Sequence, residues 1–207
     1  MSKSSKLLVA TGNPGKLKEL AGLFAAVPFE LVSLSDVGID EEVPETGETF
    51  EDNAVLKAVG YAAMSGMWTV ADDSGLEVDA LGGEPGVRSA RYAGEGATDA
   101  QRIALLLQNL DNVPEDRRQA RFRCVMALSR PDRASELFRG ACHGTIVRSP
   151  RGSRGFGYDP IFLFPELGRT MAELADEEKS RVSHRGIAAR KAAVALQDMG
   201  MHDQANE

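Results

Sequence analysis

Cysteine is nearly absent from this chain. Cys124 and Cys142 are the only two in 207 residues. Each sits in an apolar, strand-like stretch, so they read as small core residues rather than as a disulfide or a metal pair. Neither a CxxC nor an HExxH pattern occurs, which leaves zinc chemistry without support. Long hydrophobic runs are missing too. None approaches the roughly 20 residues that a helix needs to cross a bilayer, and Met1-Ser2-Lys3-Ser4-Ser5-Lys6 leads into a strand rather than into a signal-peptide core. The expectation is a cytoplasmic protein with no membrane partner. Positive charge is also short: the formal net charge is −7, which argues against a nucleic-acid polymer as partner, since its phosphates demand a basic surface. A small anionic ligand in a local basic pocket stays open. The length allows a sizeable core, read as one domain over 1–207 with 1–5 and 200–207 as frayed termini. No internal repeat or low-complexity linker divides it.

What the chain does have is centred on Ala71-Asp72-Asp73-Ser74-Gly75. The apolar run Trp68 to Ala71 precedes it, and two adjacent carboxylates at the end of a buried strand are costly to keep ionised unless a cation or strong donors meet them. Magnesium is the obvious candidate. Asp, Ser and Gly also suit a tight turn, and this stretch alone leaves both readings open. Upstream, Lys6 to Thr11 reads as a buried strand and Gly15 to Val27 as a helix with Leu17, Leu20, Leu23 and Phe24 on one face. The turn between them, Thr11-Gly12-Asn13-Pro14-Gly15-Lys16, offers backbone N–H groups and the positive end of a helix to an anion, and Lys16 adds a full charge. It is not a Walker A loop, because GxxxxGK is absent; ordinary turn chemistry also accounts for it.

Further along, Phe29 to Leu34 reads as a strand. Thr49-Phe50-Glu51-Asp52 signals the start of a helix running to about Ser65, on which Asn53 and Lys57 share a side. Glu45, in the polar loop before that helix, can fold over the Asp-Asp pair. Thr98 to Leu110 reads as an amphipathic helix, and Arg121 to Ser129 with Ser135 to Val147 as a long hairpin in which His143 is an ordinary sheet-face residue. Arg148 to Gly157 should be a mobile basic loop. It ends in Phe156-Gly157-Tyr158-Asp159-Pro160, followed by a strand over Ile161 to Phe164. Met171 to about Met199 reads as one helix containing Lys179 and Ser183-His184-Arg185.

In combination these motifs resemble the inosine triphosphate pyrophosphatase family, the Ham1-like nucleoside triphosphate pyrophosphatases. The resemblance rests on Ala10 to Asn13 with Gly15-Lys16, Glu45-Thr46-Gly47 with Phe50 to Ala54, Ala71 to Leu76, Gly155 to Pro160, and Glu178-Lys179 with Ser183 to Gly186, in family order from Lys6 to about Leu196. It implies an α/β fold with an elongated mixed central sheet flanked by helices, two lobes with a nucleotide cleft between them, and a homodimer. It also implies magnesium-dependent cleavage of ITP, dITP and XTP to the monophosphate and pyrophosphate. By motif match, Thr11, Gly12, Asn13, Pro14, Gly15, Lys16 and Lys57 would hold the triphosphate. Glu45 and Asp73 would hold the metal, Asp73 would activate water, and Ser74 would lie against the substrate. Phe156, Gly157, Tyr158 and Asp159, with Lys179, His184 and Arg185, would form the purine pocket. The residue chemistry agrees: a water attacking phosphorus needs a carboxylate to take its proton, lysines and a metal offset the charge of the departing pyrophosphate, and an aromatic can stack on a base. Competing readings are a non-catalytic nucleotide-binding protein and a phosphatase acting on another phosphorylated metabolite.

Overall fold

A computed structural model describes residues 5–131 and 133–205, with backbone alone for 133 and 200–205. The expected fraying of 1–4 and of 206–207 lies outside the described residues. Seven strands hydrogen-bond in the order β2-β1-β3-β4-β5-β6-β7: β1 (Lys6–Val9), β2 (Glu30–Ser33), β3 (Trp68–Val78), β4 (Gln119–Arg130), β5 (Arg133–Ile146), β6 (Phe162–Phe164) and β7 (Arg169–Thr170). β1 pairs parallel with β2 and β3, whereas β6 pairs antiparallel with β5 and β7, so the sheet is mixed. The helices are α1 (Pro14–Leu23), α2 (Phe50–Ser65), α3 (Asp99–Asn109), α4 (Asp176–Val182) and α5 (His184–Ala205). No helix among the described residues is long and apolar enough to cross a membrane.

The chain forms two compact units. Unit 1 takes the chain up to Asp73, then Cys124–Gly140 and the chain from Arg185; unit 2 takes Ser74–Arg123 and Ala141–His184. In unit 1, alternation along the strands sends one set of side chains to each face of the sheet. Leu7, Val9, Val70 and Met126 face a core completed by Leu20 and Phe24, with Ala188, Ala192 and Leu196 of α5. The small alanines of α5 let that helix approach closely. α2 contributes Ala54, Ala58 and Ala62 as its buried stripe, and Thr49 caps it by accepting the Asp52 N–H at 3.1 Å. In unit 2, Ile103, Leu106 and Leu110 pack with Leu76, Val78, Phe122 and Phe162. Thr98 and Gln101 close a reciprocal capping box at the start of α3.

Two expectations are corrected. β3 runs on without a turn through Asp72-Asp73-Ser74-Gly75, so the acidic pair sits inside a strand rather than at its end. The long helix expected from Met171 is broken into a 3-10 turn over Met171–Glu173, then α4, then α5. Its start signals are local: the Thr170 N–H donates to Glu173 Oε2 at 2.6 Å and the Ala175 N–H to Glu178 Oε2 at 3.0 Å, so each glutamate caps a fresh start. Ser183, at φ −73° and ψ 153°, is extended and separates α4 from α5. The backbone of α5 then continues to Ala205, beyond the point where fraying was expected. Cys124 and Cys142 are buried free thiols, and His143 is an exposed residue of β5, both as expected.

Candidate active site

In unit 1 the acidic pair of β3 is split between the two faces of its strand. Asp72 is 2% exposed and points to the side of α1 and α5. Its Oδ2 lies 3.0 Å from Lys16 Nζ and accepts from Nε and Nη2 of Arg185 at 3.4 Å each. Cys124 Sγ stands 3.8 Å from the same oxygen, while Oδ1 has no hydrogen-bond partner. Burial pushes the carboxyl up, but Lys16, Arg185 and Lys57 together outweigh that and hold it well below the usual carboxylate range. Asp72 is therefore held in its ionised form, an anion between two cations.

Asp73 points to the side of α2. Its Oδ2 accepts from Asn53 Nδ2 at 3.1 Å, and Lys57 Nζ lies 3.8 Å from its Oδ1. The Asn53 amide orientation follows from its other end, where Oδ1 accepts the Gly47 N–H at 2.8 Å. Gly47 has to be glycine: a Cβ there would stand 2.5 Å from the Cβ of Asp52. The loop before it carries Glu45, whose Oε1 accepts from Lys57 Nζ at 2.7 Å. Burial raises the Asp73 carboxyl above the ordinary aspartate value, Glu45 adds to the rise, and Lys57 and Asn53 work against it. Lys57 shows the converse. Burial opposes its charge, yet Asp73, Asp72 and Glu45 raise its pKa. The two neighbouring carboxyls are thus shifted in opposite directions, Asp72 down and Asp73 up.

Among the described residues no three His, Cys, Asp or Glu side chains gather into a metal cage. A shared metal remains compatible with the donors present. Glu45 and Asp73 already have one ammonium between them, so a cation fits there, and magnesium needs only one or two carboxylates when phosphate oxygens and waters complete its shell. In the turn before α1, Asn13 Oδ1 accepts the Lys16 N–H at 3.0 Å and Thr11 Oγ1 accepts the Asn13 N–H at 3.2 Å. Pro14, at the start of α1, has no N–H to donate.

Unit 2 gathers a second group. Asp159, at 3% exposed, accepts through Oδ2 from Lys179 Nζ at 2.5 Å and from the Phe156 N–H at 3.0 Å. Lys179 Nζ also stands 4.9 Å from the centroid of the Phe156 ring, a cation–π contact. Gly155, at φ +75°, lies so close to this carboxylate that a Cβ would meet Asp159 Oδ2 at 1.9 Å. The Tyr158 hydroxyl donates to Ser89 O at 3.0 Å. The His184 ring stacks on Phe122 at 4.7 Å and 9°, with its Nδ1 3.9 Å from Cys142 Sγ.

The profile of the Ham1 family matches residues 7–195. The chain belongs to the Ham1 family. A dITP/XTP pyrophosphatase of Geobacillus kaustophilus (strain HTA426) is 52% identical over 186 residues, 90% of this chain and 91% of that one. The Ham1 protein of Staphylococcus aureus superposes with a TM-score of 0.83 at 42% identity, covering 94% of this chain and 100% of that one. A Ham1 protein from Coxiella burnetii gives 0.85 at 40% identity, covering 94% and 99%.

Within this Ham1-family chain, Glu45 and Asp73, matched to the metal, meet Lys57, matched to the triphosphate, in unit 1, and Phe156, Asp159 and Lys179 meet in unit 2. Lys16 faces Asp72, and the Arg185 guanidinium is engaged by Asp72 and, at 2.6 Å, by Glu19. Ser74 follows Asp73 in β3 and is half-buried. The sequence drew attention to Asp72 and Asn53 without assigning either a separate role, and it gave no notice of Glu19 and Phe122, which contact Arg185 and His184. Strand alternation could have separated Asp72 from Asp73, and the spacing of Asn53 and Lys57 already put the amide beside the lysine. No local signal identifies Phe122 or Glu19, whose partners are distant in sequence.

Proposed function

We propose that this chain hydrolyses the deaminated purine nucleoside triphosphates ITP, dITP and XTP to the monophosphate and pyrophosphate, with magnesium as its metal. The observation that carries the reading is Asp73: a buried carboxyl with a raised pKa, oriented by Asn53 and flanked by Lys57 and Glu45. The names of the relatives support the substrate class.

In this scheme a water attacks the α-phosphorus while Asp73 takes its proton, and the bond to the bridging oxygen breaks to release pyrophosphate. Lys57 and the amides of the turn before α1 hold the phosphates, with Lys16 offsetting charge on that side. Glu45 and Asp73 would hold the magnesium ion, which when bound neutralises phosphate charge. Phe156 stacks on the purine. Lys179, His184 and Arg185 donate to the 6-keto oxygen, Asp159 is the acceptor for the N1 hydrogen, and Ser74 lies against the substrate. Adenine would meet donor with donor and acceptor with acceptor. Each buried group left unpaired costs about 1 to 3 kcal/mol, and a site built this way can discriminate by about 10⁴. Homodimerisation in the cytoplasm belongs to the same proposal, and light scattering showing only monomer at micromolar concentration would remove the dimer.

The test is product analysis on ITP, dITP, XTP, ATP and GTP with and without magnesium. Monophosphate plus pyrophosphate from the deaminated nucleotides is expected, with ATP a very poor substrate. Released orthophosphate would instead indicate a phosphatase, and retention of nucleotide without products a binding module.

A further inference from the structure

The aromatic expected to stack on the purine is held at both of its flanking peptide groups by carboxylates. On the N-terminal side the Phe156 N–H donates to Asp159 Oδ2 at 3.0 Å. On the C-terminal side the next amide, that of Gly157, donates to Asp99 Oδ2 at 2.7 Å. Gly157 adopts φ +61°, a left-handed conformation that glycine reaches without a side-chain penalty, so its peptide needs an external partner to fix its direction. Asp99 supplies one from the first position of α3. Its other oxygen pairs with Arg102, and Arg102 is itself anchored by donating to Ala90 O at 2.8 Å and Ala97 O at 2.6 Å. The support thus runs from a pinned guanidinium through one carboxylate to the peptide that carries the Phe156 ring.

We propose that Asp99 is a positioning residue for base recognition, holding the Phe156–Gly157 peptide so that the ring presents its face to the purine. The inference rests on the proposed nucleotide specificity and adds a residue outside every motif that suggested it. What matters at Asp99 is an acceptor oxygen at one point in space; its negative charge is secondary. Base stacking is present alike in the bound substrate and in the transition state, so its loss should appear in KM and leave kcat in place.

The experiment compares wild type with Asp99→Ala, Asp99→Asn and Asp99→Glu on ITP, with thermal unfolding of each. If wild type does not convert ITP to IMP and pyrophosphate, the functional reading fails and not this one. Given wild-type turnover, Asp99→Ala is expected to raise KM about tenfold, the scale of one lost charge-assisted hydrogen bond, with kcat within about twofold. Asn keeps an oxygen at the same distance along the side chain and should restore KM. Glu keeps the charge at the helix start, and therefore the fold, but carries the oxygen one methylene further out and should behave like Ala. Restoration by Glu and not by Asn would overturn the proposal, as would an unchanged KM in both the Ala and the Glu variants. Should the Ala variant fail to fold, the contrast between Asn and Glu decides alone.

Discussion

The Asn53 side-chain nitrogen donates to Asp73 Oδ2 at 3.1 Å, and Asn53 is 1% exposed. Because the same amide accepts the Gly47 N–H, it ties the loop that carries Glu45 to the carboxylate on β3. Replacing Asn53 with Ala is expected to lower activity or metal affinity about 10- to 100-fold, as loss of an orienting partner typically does. Steady-state hydrolysis across a magnesium titration checks this. A variant with wild-type turnover and titration would show that the amide orients nothing of consequence.

Asp73→Asn should lower turnover by at least about 10²-fold while circular dichroism stays native, since an amide cannot take a proton from water. Turnover within a few-fold of wild type would remove Asp73 from the chemistry. Glu45→Gln should raise the magnesium requirement, and an unchanged metal titration would show that Glu45 is not a ligand.

Lys57 bears on both binding and pH dependence. Its replacement by Ala should weaken ITP and XTP alike, because a phosphate contact carries no base information. Asp73 must be ionised to act and its pKa is raised above 3.8, so activity should fall on acidification through a limb above that value. Lys57→Ala removes a charge that opposes the rise and should move the limb to higher pH. An acid limb that stays put in pH–rate profiles of kcat/KM would contradict the assignment.

Asp72 makes the opposite prediction, about stability. Its folded pKa is depressed below the unfolded value, so the stability it contributes is present above roughly pH 4 and is lost as pH falls towards the folded pKa. Asp72→Asn leaves Arg185 and Lys16 without their shared counter-charge. The expected loss near pH 7 is about 3–5 kcal/mol, the usual result of breaking a buried ion pair from one side. Urea unfolding of both proteins at pH 7 and at pH 3 checks it, and a gap of equal size at the two values would sink the argument.

Every strand but the short β7 and the helix starts at Thr49 and Thr98 were legible in the sequence, because periodicity and caps are local, whereas the site residues were grouped only through the family resemblance. Legible too were the partners Asn53 and Lys57, one helical turn apart. The continuation of β3 through Asp72 and Asp73 was not, since Asp, Ser and Gly taken alone favour a turn and only neighbours on two faces of the sheet override that preference. The starts before α4 were missed although Thr170-x-x-Glu173 and Ala175-x-x-Glu178 held their signal, and the break at Ser183 was missed because no proline marks it. The Asp99–Gly157 contact joins residues far apart in the chain, where periodicity has nothing to say.

β3 works as a ruler. Neighbouring residues of a strand face opposite ways, so removing or adding one residue between Trp68 and Asp72 would send each aspartate to the opposite face of the sheet. Asp72 would turn from Lys16 and Arg185 to the α2 side, and Asp73 would turn away from Asn53 and Lys57. Composition would be almost unchanged and the adjacent Asp-Asp pair would survive in the sequence, yet both carboxylates would have lost the partners that now surround them. This stretch should therefore tolerate conservative replacements of its apolar residues far better than any change in its length.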